Sequence, residues 1–306
     1  MLGILFGLLS AVAFAANSIV SRRGMLRVSP NYIATISIFT GFVFFLPIAG
    51  ITGDLLGIGQ FHWKAYLFWA LSGVIHFVLG RTWGFRSLHL LGSTRSSIVI
   101  NLSPIVTVVF AMTIFKEKMT LPMVFGILFS LTGPLLIILK EQTANGPRRM
   151  SSLSGKELDR RTLHMGVFYG LGTALFWGSS FIFIKFGLES GGSAISGNLI
   201  AYAAASTVII PSMILRGETR KEILGKDRRA LQAAILSGVL ISIAQLLRFL
   251  SFGYGSAIVV SFMGRTSPIW ILLFAFLFNR EYESFSRWVF LGNGLLILGA
   301  LLFIFP

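Results

Sequence analysis

The stretch LSPIVTVVFAMTIFKE at residues 102–117 returns as TSPIWILLFAFLFNRE at 266–281. Each copy opens on Ser-Pro, runs through an apolar segment and closes on a basic–acidic pair, Lys116-Glu117 in one and Arg280-Glu281 in the other. A second pair of stretches keeps nearly the same offset. GILFGLLSAVAFAANSIVSRRGM (3–25) lies over GVFYGLGTALFWGSSFIFIKFGL (166–188), with Gly3 on Gly166, Gly7 on Gly170, Phe14 on Trp177, Arg22 on Lys185 and Gly24 on Gly187. Once two residues are inserted, Gly126 and Gly133 fall on Gly292 and Gly299. The chain reads as one unit used twice, at 1–139 and 164–306, joined by a polar linker at 140–163.

Composition says what solvent that unit needs. Of 306 residues 55% are apolar and only 12% charged, and the mean hydropathy is +0.81. A soluble domain of this size must cover itself with a polar shell that this sequence lacks. A hydrocarbon core about 30 Å thick takes roughly 20 apolar residues per helix. Runs of that length fall near 2–20, 31–50, 65–83, 96–115, 121–139, 165–184, 194–215, 230–250, 256–278 and 287–305. The expected fold is an all-α integral membrane protein with ten transmembrane helices. Five crossings per unit is odd, so the second unit enters the membrane upside down, giving two inverted five-helix repeats. Secondary transporters are often built this way, with the substrate site near the midplane. The duplicated GxxxG at 3–7 and 166–170 suits close helix packing. The opening MLGILFGLLSAVAFAA lacks a basic leader region and recurs inside the chain, so it reads as the first membrane helix.

Several function classes drop out. The chain has no cysteine, which excludes disulfides, thiol nucleophiles and thiolate metal sites. The net charge of +15 is spread over short connections, not a soluble basic face, and predicts a lipid surface, not nucleic acid, as partner. The linker holds no phosphate loop, so ATP-driven transport by this chain is unsupported. No acid/base or metal constellation stands out, so no catalytic residue, metal or cofactor is assigned and the chain is not read as an enzyme. The expected partners are a small-molecule substrate and the bilayer, with the protein a monomer or homodimer.

The second half resembles the drug/metabolite transporter superfamily, EamA type. The resemblance rests on Phe176-Trp177-Gly178-Ser179-Ser180-Phe181 with Lys185, on Ser267, Pro268 and Glu281, and on Gly292 and Gly299. The first half matches at Ser103, Pro104, Glu117, Gly126 and Gly133, but Phe14-Ala15-Ala16-Asn17 replaces the Trp-Gly-Ser-Ser run. It implies a ten-helix transporter and leaves the substrate open among amino acids, sugars, nucleotide conjugates and drugs. Characterised members are drawn with both termini inside. The basic residues argue the opposite: 19 lie in connections after odd-numbered runs and 4 in those after even-numbered ones. By the positive-inside rule both termini of this multi-pass cell-membrane protein face outside.

Every acidic residue lies in or beside a connection. The charges within the spans are instead Arg265, three residues before Pro268, and Arg81 and Arg248, nearer their helix ends. A charge at a helix centre costs roughly 2.5–3.5 kcal/mol on insertion scales, so it faces a cavity or a partner. Arg265 is expected to hold a substrate carboxylate or phosphate, and a bond to a neighbouring helix is the alternative. Trp177 and Ser180, with Asn17 at the matching place, are expected to line the central cavity, as are Asn101 and Gln245. Pro104 and Pro268 remove a backbone donor in matching helices and, with Gly178, are read as hinges, a structural kink being the alternative for the prolines. His76 is the one deep group that titrates near neutral pH and is the candidate for proton coupling, with a satisfied packing residue as the alternative. Glu117 and Glu281 are read as interfacial anchors or gate latches. The resulting expectation is a secondary transporter of an anionic or zwitterionic metabolite working by alternating access. An exporter of hydrophobic or drug-like compounds is the alternative, and a membrane-embedded transferase on lipid-linked substrates the remote one.

Overall fold

In lipid every backbone polar group must be paired internally, and long apolar runs without strand partners can do that only as helices. The computed structural model describes residues 1–145, 160–215, 227–278 and 287–304, and no strand occurs among them. The first half holds α1 (Leu2–Met25), α2 (Pro30–Ile51), α3 (Trp63–Gly73), a π-helical stretch Val74–Gly80, α4 (Arg81–Ile100), α5 (Ser103–Ile114) and α6 (Leu121–Asn145). The second half holds α7 (Arg160–Glu189), α8 (Ala194–Leu215), α9 (Arg228–Tyr254), α10 (Ala257–Met263), a 3-10 turn Gly264–Thr266, α11 (Ser267–Phe278) and α12 (Arg287–Ile304).

Among the described residues six helices are long and apolar enough to cross a membrane: Leu2–Met25, Pro30–Ile51, Trp63–Ser87, Arg161–Glu189, Ala194–Pro211 and Arg228–Tyr254. Of the other expected spans, 121–139 meets the 25-residue α6 and 287–305 the 18-residue α12, whereas 96–115 and 256–278 meet shorter helices. α5 has 12 residues, about 18 Å at 1.5 Å per residue. Its helix is cut at the Asn101–Leu102 turn, and Pro104 then sits in the first turn of α5. There the missing N–H costs nothing, so Pro104 starts a helix and does not kink one. The matching break in the second half is the 3-10 turn Gly264–Thr266 ahead of α11. A further departure lies at Arg86 and Arg95, which were read as a connection but stand on the continuous helix α4. Gly92 is the only breaker there, and one glycine costs a helix only about 1 kcal/mol. In the second half the backbone turns extended at Gly255, φ −145 and ψ 162, and does end α9. α6 runs through Asn145 and α7 begins at Arg160, so both reach into the stretch read as linker, of which 146–159 lies outside the described residues.

Helix pairing repeats when the halves are exchanged. α1 packs on α9 as α7 packs on α4; α1 meets α11 as α7 meets α5; α2 meets α9 as α8 meets α3. α2 with α8 and α6 with α12 are the pairs that exchange into themselves. Small residues permit the close crossings. A Cβ on Gly3 would lie 2.8 Å from Gly255 Cα, and one on Gly170 2.8 Å from Val99 Cγ1, so both GxxxG motifs face neighbours as expected. The outward faces are apolar, for example Leu2, Leu5 and Leu9 on α1 and Phe168, Leu171 and Leu175 on α7. The interior instead buries Ser10, Ser37, Ser180, Ser237 and Thr107. An apolar exterior around a polar interior suits a protein solvated by lipid.

Candidate functional site

The π stretch is where the interior becomes chemical. Its wide turn lets the Arg81 N–H reach both His76 O and Val78 O, and such bulges recur at functional sites. Gly80 leaves room for the Trp177 indole: a Cβ there would lie 2.4 Å from Trp177 Cδ1. Trp177 uses that room to donate from Nε1 to His76 O at 3.3 Å and to stack on the His76 ring, centroids 5.5 Å apart.

The His76 ring is then held on both nitrogens. Nδ1 lies 3.1 Å from Ser180 Oγ, Nε2 lies 2.9 Å from Gln245 Nε2, and Arg248 Nη1 approaches the two at 3.1 and 3.2 Å. Arg248 Nη2 donates to Ser180 Oγ at 3.0 Å, and its guanidinium carbon sits 5.2 Å from the Phe252 ring centroid. His76, Ser180 and Gln245 are buried, and Gln245 Oε1 has no hydrogen-bond partner among the described residues. Of the expected site residues, His76, Trp177, Ser180, Gln245 and Arg248 therefore come together. One comes from the first half and four from the second.

Arg81 sits beside this cluster. It is 3% exposed, donates from Nη1 to Ser37 Oγ at 3.0 Å and lies over the Phe77 ring at 5.1 Å. Its buried Nη2 has no hydrogen-bond partner among the described residues. Phe77 stacks in turn on Tyr202, centroids 4.2 Å apart. Tyr202 belongs to a row the sequence reading missed. Asn198, Tyr202 and Ser206 recur every four residues on α8, all buried, with Asn198 Oδ1, Tyr202 Oη and Ser206 Oγ unpartnered among the described residues. Polar groups spaced by four share one helix face, which was the available signal.

The other expected residues lie elsewhere. Asn17 Oδ1 accepts from Ser237 Oγ at 2.7 Å and Ser21 Oγ at 3.1 Å, a knot between α1 and α9. Asn101 stands in the turn before α5. Gly178 is in a crossing: its carbonyl accepts from Thr107 Oγ1 at 3.0 Å, and a Cβ on it would lie 2.5 Å from Ser103 O. Arg265 falls in the 3-10 turn and Pro268 in α11, but the side chains of both lie outside the described residues, as does Glu281 altogether.

At one end of the bundle two carboxylates of the first half grip the second. Lys116 takes φ +54, rare for a residue with a side chain, and the next residue, Glu117, reaches across. It accepts from Ala257 N at 2.8 Å, Ile258 N at 3.1 Å, Ser256 Oγ at 2.7 Å and Lys185 Nζ at 3.0 Å. Lys185 also lies over the Phe115 ring. Burial works against ionisation of Glu117, but the bonds from Ala257, Ser256, Ile258 and Lys185 outweigh it and hold its pKa below the usual value. Asp54 accepts from Ser193 Oγ and Ser196 Oγ at the start of α8. Its burial is likewise outweighed, by Ser193, Thr52 and Ser196, and its pKa is also lowered. Beneath Glu117, Phe115 packs on Phe181 and Phe181 on Phe252. At the other end the halves meet around an open cavity of about 590 Å³, lined in part by Arg27, Asn31, Arg86 and Tyr169. The ion pair described there, Arg27 with Asp227 at 3.6 Å, is exposed.

The family model for the EamA-like transporter family matches residues 1–139 and again 164–305. The chain belongs to the EamA-like transporter family. This EamA-type chain is thus a multi-pass membrane protein of a family that transports small molecules. A solved structure described as "Crystal structure of protein" is similar to it with a TM-score of 0.75 at 14% identity, covering 99% of this chain and 97% of that one, a likeness of fold. No curated protein matches the sequence. Among the described residues of the EamA-type chain no group of three His, Cys, Asp or Glu is placed to hold a metal ion.

Proposed function

We propose that this chain is a secondary transporter that carries a small anionic or zwitterionic metabolite, such as an amino acid or organic acid, by alternating access between two inverted five-helix repeats. The observation that carries this reading is the cluster of Arg248, His76, Ser180, Gln245 and Trp177 near the middle of the 25-residue span Trp63–Ser87. Arg248 and Ser180 supply donors to a carboxylate, and the unpartnered Gln245 Oε1 is an acceptor for an ammonium group. Trp177 gives a flat wall. His76 is the group to exchange a proton with the substrate.

A carrier closes one face while the other is open. The Glu117 and Asp54 clasp and the Phe115–Phe181–Phe252 layer suit a closed face, and the cavity at the other end an open one. That open end carries the basic connections, so it is assigned to the cytoplasm and both termini to the outside. The aromatic layer also favours the second reading, an exporter of hydrophobic compounds.

Thermal unfolding of the detergent-purified protein against anionic, zwitterionic and cationic metabolites separates the two. A ligand at about 100 times its dissociation constant adds roughly 2.7 kcal/mol. Stabilisation by anions or zwitterions that Arg248→Gln removes supports the first reading. Stabilisation by lipophilic cations alone overturns it.

A further inference from the structure

Resting on that reading of the central cluster, we infer that the substrate carries two anionic groups, one held at Arg248 and the second at Arg81. Arg81 is 3% exposed, and its Nη2 finds no hydrogen-bond acceptor among the described residues. Ser37 Oγ satisfies only one corner of the fork, whereas a guanidinium presents five N–H donors. The sequence places no acidic residue within the apolar length of any span, and among the described residues no carboxylate meets Arg81. A buried cation of this kind is retained where a cavity or an anion compensates it.

The position of Arg81 makes that anion part of the same ligand. Arg81 lies 5.1 Å from the Phe77 ring, Phe77 lies 5.4 Å from the neighbouring His76 ring, and His76 is the residue Arg248 grips. The two guanidinium groups are thus linked through two adjacent side chains of one π turn, and the length of the best-bound dicarboxylate reads their separation. On the far side of Phe77, Tyr202 Oη and the neighbouring Asn198 and Ser206 on α8 offer uncommitted polar groups to the same region. One carboxylate on Arg248 and Ser180 leaves Arg81 unmatched. A second one matches it with a fork-to-carboxylate contact.

The test uses the full chain in detergent at matched ionic strength, reading unfolding temperature against concentration of malonate, succinate, glutarate and adipate, with butyrate and alanine as single-carboxylate controls. At least one dicarboxylate should half-saturate at a tenfold lower concentration than either control. Arg81→Gln should erase that advantage and leave the controls unchanged, while Arg248→Gln should weaken both groups of ligand. Equal responses to one and two carboxylates, or an advantage that survives Arg81→Gln, overturns the inference while the single-anion reading stands. No response to any anion or zwitterion removes both. If Arg81→Gln does not fold, Arg81→Lys keeps the charge without the fork and should weaken the dicarboxylate response alone; an unchanged response contradicts the assignment.

Discussion

Lys185 Nζ lies 3.0 Å from Glu117 Oε1, and this pair joins the two halves of the chain at one end of the bundle. The same carboxylate takes the first backbone N–H groups of α10. It therefore does two jobs at once, as counter-ion and as helix cap. Separating the halves at this end would break both together.

Glu117→Gln should loosen that end. Removing one partner of a mostly buried charged hydrogen bond costs about 1–3 kcal/mol. The chain has no cysteine, so a single Ala257→Cys, at a position now 0% exposed, reports opening without background. Labelling by a membrane-impermeant thiol reagent should accelerate at least tenfold in the Glu117→Gln background. Exchanging the charges, Glu117→Lys with Lys185→Glu, should not restore slow labelling, because a lysine cannot accept from the α10 N–H groups. Restoration would make the ion pair alone the latch.

Acid should open the clasp from one direction only. Glu117 and Asp54 have pKa values lowered in the arrangement described. Their contribution is present above the ordinary carboxylate pKa, about 4, and is lost as pH falls through the lowered value. Labelling of Ala257→Cys should be flat from neutral to mildly acidic pH, after correction for thiol ionisation, and rise below about pH 4. A rise near pH 6 would point to a different group.

Gly73→Ala should damage the fold and Gly80→Ala the site. A Cβ on Gly73 would lie 2.0 Å from Ala201 O, a backbone atom that cannot step aside. Overpacking of that kind costs about 1–3 kcal/mol. The Cβ on Gly80 meets the Trp177 side chain instead, which can tilt. Gly80→Ala should weaken ligand binding about tenfold with little change in unfolding temperature of the ligand-free protein.

Asn17→Ala tests packing against binding. Its Oδ1 joins Ser21 and Ser237, and hydrogen bonds between membrane helices are worth about 0.6 kcal/mol each. The unfolding temperature should fall while the ligand concentration for half-saturation stays put.

The repeat, the helical class and the family were legible because duplication leaves matched Gly and Pro positions, such as Gly3 with Gly166 and Pro104 with Pro268. Crossing lengths were less so. Apolar runs do not reveal that helix breaks at Asn101–Leu102 and Gly264–Thr266 shorten α5 and α11, or that α4 runs on through Arg86. In the site, Arg248, His76 and Ser180 were each visible as polar groups in apolar runs, but their union depends on the π turn and on Gly80, which sequence periodicity hides. Asp54 looked like an ordinary connection acid until Ser193 and Ser196, 139 and 142 positions away, were placed beside it.

The most direct test of the account is counterflow uptake by the purified protein in liposomes, comparing the parent with Arg248→Gln at matched incorporation. With the anion or zwitterion that best stabilises the parent, uptake should fall at least a hundredfold in the variant, while thermal stability without ligand changes little. Uptake that persists at the parental rate would contradict a site built on Arg248, His76 and Ser180.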